Sequence, residues 1–273
     1  MRLFKIISRG EVEVSVVFQK YRDCVNAKLN LFCFPYAGGC ASVYRDLANS
    51  LPESVQLWSF QLPGREERFG EPFVHELHEV KSIIMGELSK FNDKPYIILG
   101  YSMGGRLAYE AAILARKFHM RSPEAMIVCA AKPPHKLRDK IIYNLPDDEF
   151  VAEIRDNSGT SQAVLDEPSL MEILLPRLRA DYQICETAPK AVMSKLLSCD
   201  INICSGKTDD GATPEDMNYW ANFSSGNAAY YEFDAGHFFI NDKRDEFNTL
   251  IAKILDECCA SSASINVQKI AYI

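Results

Sequence analysis

Residues 96–112 read YIILGYSMGGRLAYEAA. Tyr96 to Leu99 has the composition of a buried strand. G-Y-S-M-G follows, and then a helix with small residues along one side. A serine between two glycines at a strand-to-helix junction makes a tight turn that lifts its hydroxyl into the open. Gly100 and Gly104 suit that turn because a side chain at either would strike the neighbouring strand or helix. The N–H of Met103 then falls at a helix N-terminus, where a developing oxyanion is stabilised. The five-residue pattern alone is common. The strand before it and the helix from Arg106 to Phe118 after it give it weight. The competing interpretation is a tight turn whose serine does no chemistry.

The same alternation of strand and helix extends outward from the elbow. NLFCF (30–34), VQLWSFQL (55–62), AMIVCA (125–130), INICS (201–205) and AYYEF (229–233) read as further strands, and Val80 to Phe91 has helical periodicity. Apolar strands alternating with helices predict a mostly parallel sheet covered on both faces. With the elbow, this predicts the α/β-hydrolase fold. Its ligands bind beyond the carboxyl ends of the strands. Ser102, the loop at 35–39 and the segments after Ser205 and Phe233 all fall at that edge.

Residues 137–189 break the alternation, with NLPDDEFVAEI and SLMEILLPRLRADY and no strand between them. Asn144 or Asp147 could cap the first helix, and Pro176 should interrupt the second. We expect a helical lid over the strand ends, inserted between core segments 29–136 and 190–257. Its apolar residues, including Phe150, Leu170, Ile173, Leu174 and Leu178, could shape a pocket near Ser102 or simply pack the lid. An ordinary crossover with extra helices is the alternative. Residues 1–28 alternate through VEVSVVF, which suggests a β-hairpin at the sheet edge. Residues 258–273 form a small-residue tail, expected to be mostly disordered.

Composition narrows the function. The 273 residues carry a net charge of −7 and are 47% hydrophobic and 25% charged, ordinary for a globular domain. No lysine- or arginine-rich block supports nucleic-acid binding, and no apolar run has the length of a membrane span. The N-terminus lacks the unbroken apolar core of a signal peptide, so a cytoplasmic protein is expected. The nine cysteines show no zinc-binding spacing. Cys33, Cys129 and Cys204 lie in strand-like runs, as small hydrophobes do. We expect no metal, no cofactor and a monomer. Neither G-x-G-x-x-G nor G-x-x-x-x-G-K-[ST] is present, since GKT at 206–208 lacks the glycine five residues earlier, which argues against a nucleotide site.

A serine hydroxyl needs a base to take its proton. In this fold the order is Ser, then Asp or Glu, then His after the last strand. Of five histidines, His237 in YYEFDAGHFFI fits. His75 and His78 precede the nucleophile and read as solvated, and His119 ends the elbow helix. His135 lies near the lid entrance, where it could meet a ligand. The orienting acid should lie in GKTDDGATPED after the strand INICS, as either Asp209 or Asp210. One would meet His237; the other would cap a helix near Thr213 or face water. FPYAGG supplies the second oxyanion donor, from the N–H of Ala37 or Tyr36, with Gly38 and Gly39 allowing close backbone approach.

Four segments together, LFCFPYAGGCASVYR, QLPGREERF, GYSMGGRLAYE and GHFFI, closely resemble the type II thioesterases of nonribosomal peptide and polyketide synthesis. LPDDEFVAEI and LLPRLRADY are similar to that family's lid segments, and P-G-R-x-x-R is the most discriminating element. The resemblance spans roughly 29–255. It implies an editing hydrolase that cleaves acyl groups from the 4′-phosphopantetheine arm of carrier domains. It assigns Ser102 as nucleophile, His237 as base, Asp209 as acid by the G-x-x-D spacing from Gly206, and the N–H groups of Met103 and Ala37 as oxyanion donors. Two departures stand out. Tyr101 replaces a frequent histidine, and ETAPKA lacks the usual aromatic pair. A medium-chain acyl-carrier hydrolase and a general carboxylesterase use the same residues. A non-catalytic binding protein is the alternative outside enzymes, against which the intact Ser, Asp and His positions argue.

Overall fold

A computed structural model describes residues 17–87, 89–136, 140–156, 167–194 and 196–270, with side chains as far as Cys258. The apolar runs become strands β2 (Leu29–Phe34), β3 (Val55–Phe60), β4 (Tyr96–Tyr101), β5 (Ala125–Cys129), β6 (Asp200–Gly206) and β7 (Ala228–Phe233). They pair in parallel, and a short strand β1 (Phe18–Gln19) adds antiparallel to β3. The sheet order is β1-β3-β2-β4-β5-β6-β7. The chain thus winds outward in two directions from β2 and β4, the arrangement of an α/β-hydrolase core. The expected N-terminal hairpin falls mainly on residues 1–16, outside the described residues. Only its last part is seen, as β1 on the sheet edge.

Why the central strands are apolar throughout follows from their two faces. Side chains alternate across a strand. In β4, Tyr96 and Ile98 face one core, and Ile97, Leu99 and Tyr101 face the other. β2 and β5 divide in the same way, Phe32 and Phe34 against Leu31 and Cys33, Met126 and Val128 against Ile127 and Cys129. Helix α1 (Arg45–Ser50) covers the second face together with the last helix. α2 (Leu77–Gly86), the short α3 (Lys90–Asp93) and α4 (Met103–Lys117) cover the first. α4 closes at His119, whose φ of 55° is left-handed, with Met120 N–H bonding Ala115 C=O at 2.9 Å. His119 is therefore a helix terminator. It sits about 25 Å along the helix from Ser102, at 1.5 Å per residue.

The segment between β5 and β6 holds α5 (Asp147–Asp156) and α6 (Pro168–Thr187). Residues 137–139 and 157–166 lie outside the described residues. Two expectations here need correction. Neither Asn144 nor Asp147 caps α5. Pro146 holds the cap position, its carbonyl accepting the first helical bond from Phe150 N–H at 2.8 Å, and Asp147 is the first helical residue. Pro176 does not interrupt α6, which runs through it. The proline is exposed, and so is Glu172, whose carbonyl it leaves without an amide partner, while Met171 and Leu178 are buried on either side and hold the helix together.

α7 (Pro214–Asn218) begins at Thr213, whose hydroxyl accepts from Asp216 N–H at 3.2 Å. α8 (Phe239–Asp242) leads into α9 (Arg244–Ile270). The segment from Cys258 continues α9 as far as Ile270. No glycine or proline follows Gly236 to stop it, and the alanines there favour helix.

Candidate active site

The elbow is built from close backbone contacts. Ser102 has φ 52° and ψ −117°, a strained conformation for a residue with a side chain. Its N–H bonds Cys129 C=O at 2.8 Å, and its C=O accepts from Gly105 N–H at 2.9 Å. A Cβ on Gly100 would lie 2.1 Å from Gly104 O, and one on Gly104 would lie 1.9 Å from Phe34 O. Those approaches press the start of α4 against the end of β2. Met103 is the first residue of α4, where helical N–H groups have no partner within the helix.

Asp209 and His237 arrive from β6 and β7. The two strands pair as far as Gly206 and Phe233. Their loops stay together: Lys207 N–H bonds Phe233 C=O, and Thr208 N–H bonds Ala235 C=O. Gly206 allows this, since a Cβ there would lie 2.4 Å from Gly236 O. His237 Nδ1 lies 2.8 Å from Asp209 Oδ2, and His237 Nε2 lies 2.9 Å from Ser102 Oγ. Asp209 Oδ1 accepts from the N–H of Gly211 at 2.8 Å and of Ala212 at 3.0 Å. The carboxylate is fully buried, whereas Asp210 is exposed. Acceptance by Asp209 selects the tautomer with the proton on Nδ1. Nε2 is then free to accept the Ser102 hydroxyl. The chain Asp209–His237–Ser102 can move a proton off the serine.

Tyr101 adds a support that the sequence did not reveal. Its phenol donates to His237 C=O and accepts from Ile240 N–H. Burial pushes this phenol well above its ordinary pKa, so it stays a donor. It therefore ties the backbone of the histidine to β4.

The loop after β2 is held from another direction. Tyr36 C=O accepts from Gly39 N–H at 2.9 Å. Gly38 N–H donates to Asp181 Oδ2 at 2.7 Å, and Gly39 C=O accepts from Arg65 Nη1 at 3.0 Å. Arg65 and Asp181 form a bidentate pair, both contacts 2.8 Å, with side chains 2% and 0% exposed. Burial opposes the charge on Arg65. Asp181's charge and hydrogen bonds outweigh it and raise the guanidinium's pKa from its ordinary value. Arg65 belongs to P-G-R-x-x-R and Asp181 to LRADY on α6. Arg68, the second arginine of that element, forks onto Glu71 and bonds Gln61 C=O. Gln61 in turn holds Ala41 N–H and Arg65 C=O.

The remaining candidates lie apart from this chain of contacts. His75 meets Gln183 at 3.1 Å and His78 meets Glu76, both exposed. His135 stacks among Tyr219 and Phe223, and burial followed by Lys136 lowers its pKa. Phe150 and Leu178 are buried in the small core of α5 and α6, Leu174 packs against it, and Leu170 and Ile173 are exposed. The described cysteines are free, and among the described residues no cluster could hold a metal ion.

Comparison with known proteins fits this geometry. Residues 29–258 match the family described as "Thioesterase domain". The chain is similar to the gramicidin S biosynthesis protein GrsT of Aneurinibacillus migulanus, at 33% identity over 84% of this chain and 90% of that one. Its fold resembles the type II thioesterase BorB from the borrelidin biosynthetic cluster, with a TM-score of 0.80 and 30% identity over 89% and 99% of the two chains. It also resembles RedJ, a thioesterase of the prodiginine pathway in Streptomyces coelicolor, with a TM-score of 0.78 and 30% identity over 85% and 87%. The chain belongs to the thioesterase domain family and is a hydrolase of thioester bonds, of the type II kind.

Proposed function

We propose that this enzyme removes acyl groups from the 4′-phosphopantetheine arm of carrier domains. It would act as an editing partner of a nonribosomal peptide or polyketide synthase. The observation that carries the chemistry is the continuous Asp209–His237–Ser102 chain, 2.8 and 2.9 Å per link. Ser102 Oγ attacks the thioester carbonyl while His237 Nε2 takes its proton. The oxyanion is met by the N–H groups of Met103 and Ala37. Collapse expels the pantetheine sulfur, which takes the proton back from His237 and leaves an acyl-serine. Water then attacks that ester with His237 as base, releasing the acid and restoring Ser102. Asp209 orients the imidazole and stabilises its charged form. The enzyme needs no cofactor of its own in this scheme.

The carrier as partner is supported by the relatives' biosynthetic clusters. No described helix is long and apolar enough to cross a membrane. Free cysteines at every described position support a reducing compartment such as the cytoplasm. We take the working unit as a monomer. The test is kcat/KM for one acyl chain presented on a carrier domain and on coenzyme A. A carrier adds protein contacts at the lid rim that coenzyme A cannot make, so the carrier form should be preferred. Polar substitution of Leu170 and Ile173, exposed on α6, should change acyl preference without abolishing labelling by a small fluorophosphonate. Equal kcat/KM on both carriers, with no change of preference in those variants, would point to a general esterase.

A further inference from the structure

The Arg65–Asp181 pair has no part in the proton chain, yet it reaches the loop beside Ser102. Its effect on that loop can be followed peptide by peptide. In a trans peptide the C=O and N–H point in opposite directions. Tyr36 C=O is turned inward onto Gly39 N–H, so the N–H of Ala37, on the same peptide, points out of the turn. The next peptide is held by Gly38 N–H on Asp181 Oδ2. The one after is held by Gly38 C=O, which accepts from Arg177 Nη1 at 3.4 Å. Gly39 C=O is held by Arg65. Two of these three side chains, Arg177 and Asp181, sit on α6. Gly38 has φ 77°, and a Cβ on it would lie 2.6 Å from Leu178 Cδ2 of the same helix. The loop therefore takes its shape from the lid helix as well as from β2.

We infer that Asp181, paired to Arg65, is a positioning residue that fixes the direction of the Ala37 N–H, so that seating of α6 and assembly of the oxyanion site are a single event. This rests on the proposed role of Ala37 as oxyanion donor. The pair is not a catalytic group, since neither side chain meets the reacting atoms. A merely structural pair would fasten the lid and do no more. The two roles predict different results when the pair is replaced by apolar residues of similar volume, because a buried ion pair can often be exchanged in that way without loss of stability.

The experiment is the double variant Arg65→Met with Asp181→Leu. It would be measured for thermal stability, for kcat and KM separately, and for affinity toward an acyl trifluoromethyl ketone. Such a ketone adds to the serine and presents an oxyanion. Positioning predicts a folded enzyme with kcat lower by at least about tenfold, since a donor displaced by about 1 Å can cost on the order of 100-fold. Ketone affinity should fall in parallel and KM should change less than about threefold. Normal kcat and ketone affinity in the folded double variant would overturn the inference, and so would a rise in KM alone. Should the double variant fail to fold, Asp181→Asn keeps the size and one acceptor oxygen, and the same three readings decide. Ser102→Ala, run alongside, separates the two ideas. Turnover by that variant sinks the serine mechanism, whereas a dead Ser102→Ala beside a fully active double variant sinks only this inference.

Discussion

The two sides of the candidate site are held by different kinds of force. On the serine side, bare glycines let backbone meet backbone: Gly100 against Gly104, Gly104 against Phe34, Gly206 against Gly236. On the side of the 35–39 loop, long side chains do the holding, through Arg65, Asp181 and Gln61. Backbone contacts of the first kind tolerate no alternative, because a Cβ about 2 Å from a carbonyl cannot be relieved by rotating a side chain. Side-chain anchors are released when the helix that carries them moves. The serine side is thus fixed by the sheet, and the loop side depends on a segment outside it.

The largest effects should therefore fall on the serine side, and on chemistry more than on folding. Ser102→Ala removes one half-buried oxygen. It should leave thermal stability within a few degrees and lower kcat on the order of 10³-fold or more. His237→Ala should match it. Turnover of acyl-pantetheine by either variant near the parent rate would break the assignment.

Asp209 and Asp210 come next. Asp209→Asn keeps the shape but gives His237 Nδ1 an ambiguous partner, with an amide able to donate where the carboxylate only accepts. We expect a loss on the order of 10³- to 10⁴-fold in kcat, no greater than that of Ser102→Ala. Asp210→Asn should cost less than about tenfold, or 1.4 kcal/mol. A rate assay on both variants settles the order, and the reverse ranking would move the acid to Asp210.

What could be read from sequence follows the same division. The six long strands and the elbow were legible because their signals are local: apolar runs and a G-x-S-x-G between strand and helix. Asp209 and Asp210 were separable only through the family's G-x-x-D spacing, because they are adjacent in sequence and only the loop geometry brings Asp209 to Gly211, Ala212 and His237. Arg65 and Asp181 were invisible as a pair. They lie 116 residues apart, and a charged residue does not name its partner. P-G-R-x-x-R stood out as a pattern, but what it does in the structure is carry Arg65 back onto α6. Pro176 was misread because the rule against proline assumes a buried helix face, and here Pro176 and Glu172, whose carbonyl it leaves without an amide partner, are both exposed residues.

Tyr101 tests how much slack the serine side has. Tyr101→Phe keeps the ring among Phe239 and Phe247 and removes the bond to His237 C=O. A single hydrogen bond contributes about 1 kcal/mol. The histidine also keeps its bond to Asp209, so kcat should fall by about tenfold or less with KM unchanged. A loss as large as that of Asp209→Asn would mean that the histidine's backbone, more than its acid, sets the imidazole.

The smallest effect should come from the other contact between the same two regions. His75 lies a few residues beyond the P-G-R-x-x-R element and meets Gln183 of α6 at 3.1 Å, just as Arg65 meets Asp181 from within it. Both contacts tie the chain after β3 to α6. They differ in burial: the His75 contact is exposed, while Arg65 and Asp181 are sealed from water. An exposed hydrogen bond exchanges with solvent at little net cost, whereas a buried charge left without its partner is strongly destabilising. His75→Ala should therefore change kcat by less than about twofold and shift Tm by no more than about 2 °C, since surface substitutions away from such features stay within about 0.5 kcal/mol. Steady-state kinetics and a thermal melt suffice to check it. A loss of activity comparable to that expected for Asp181→Asn would show that any tie between this segment and α6 holds the loop, and that burial of the Arg65 pair is not what matters.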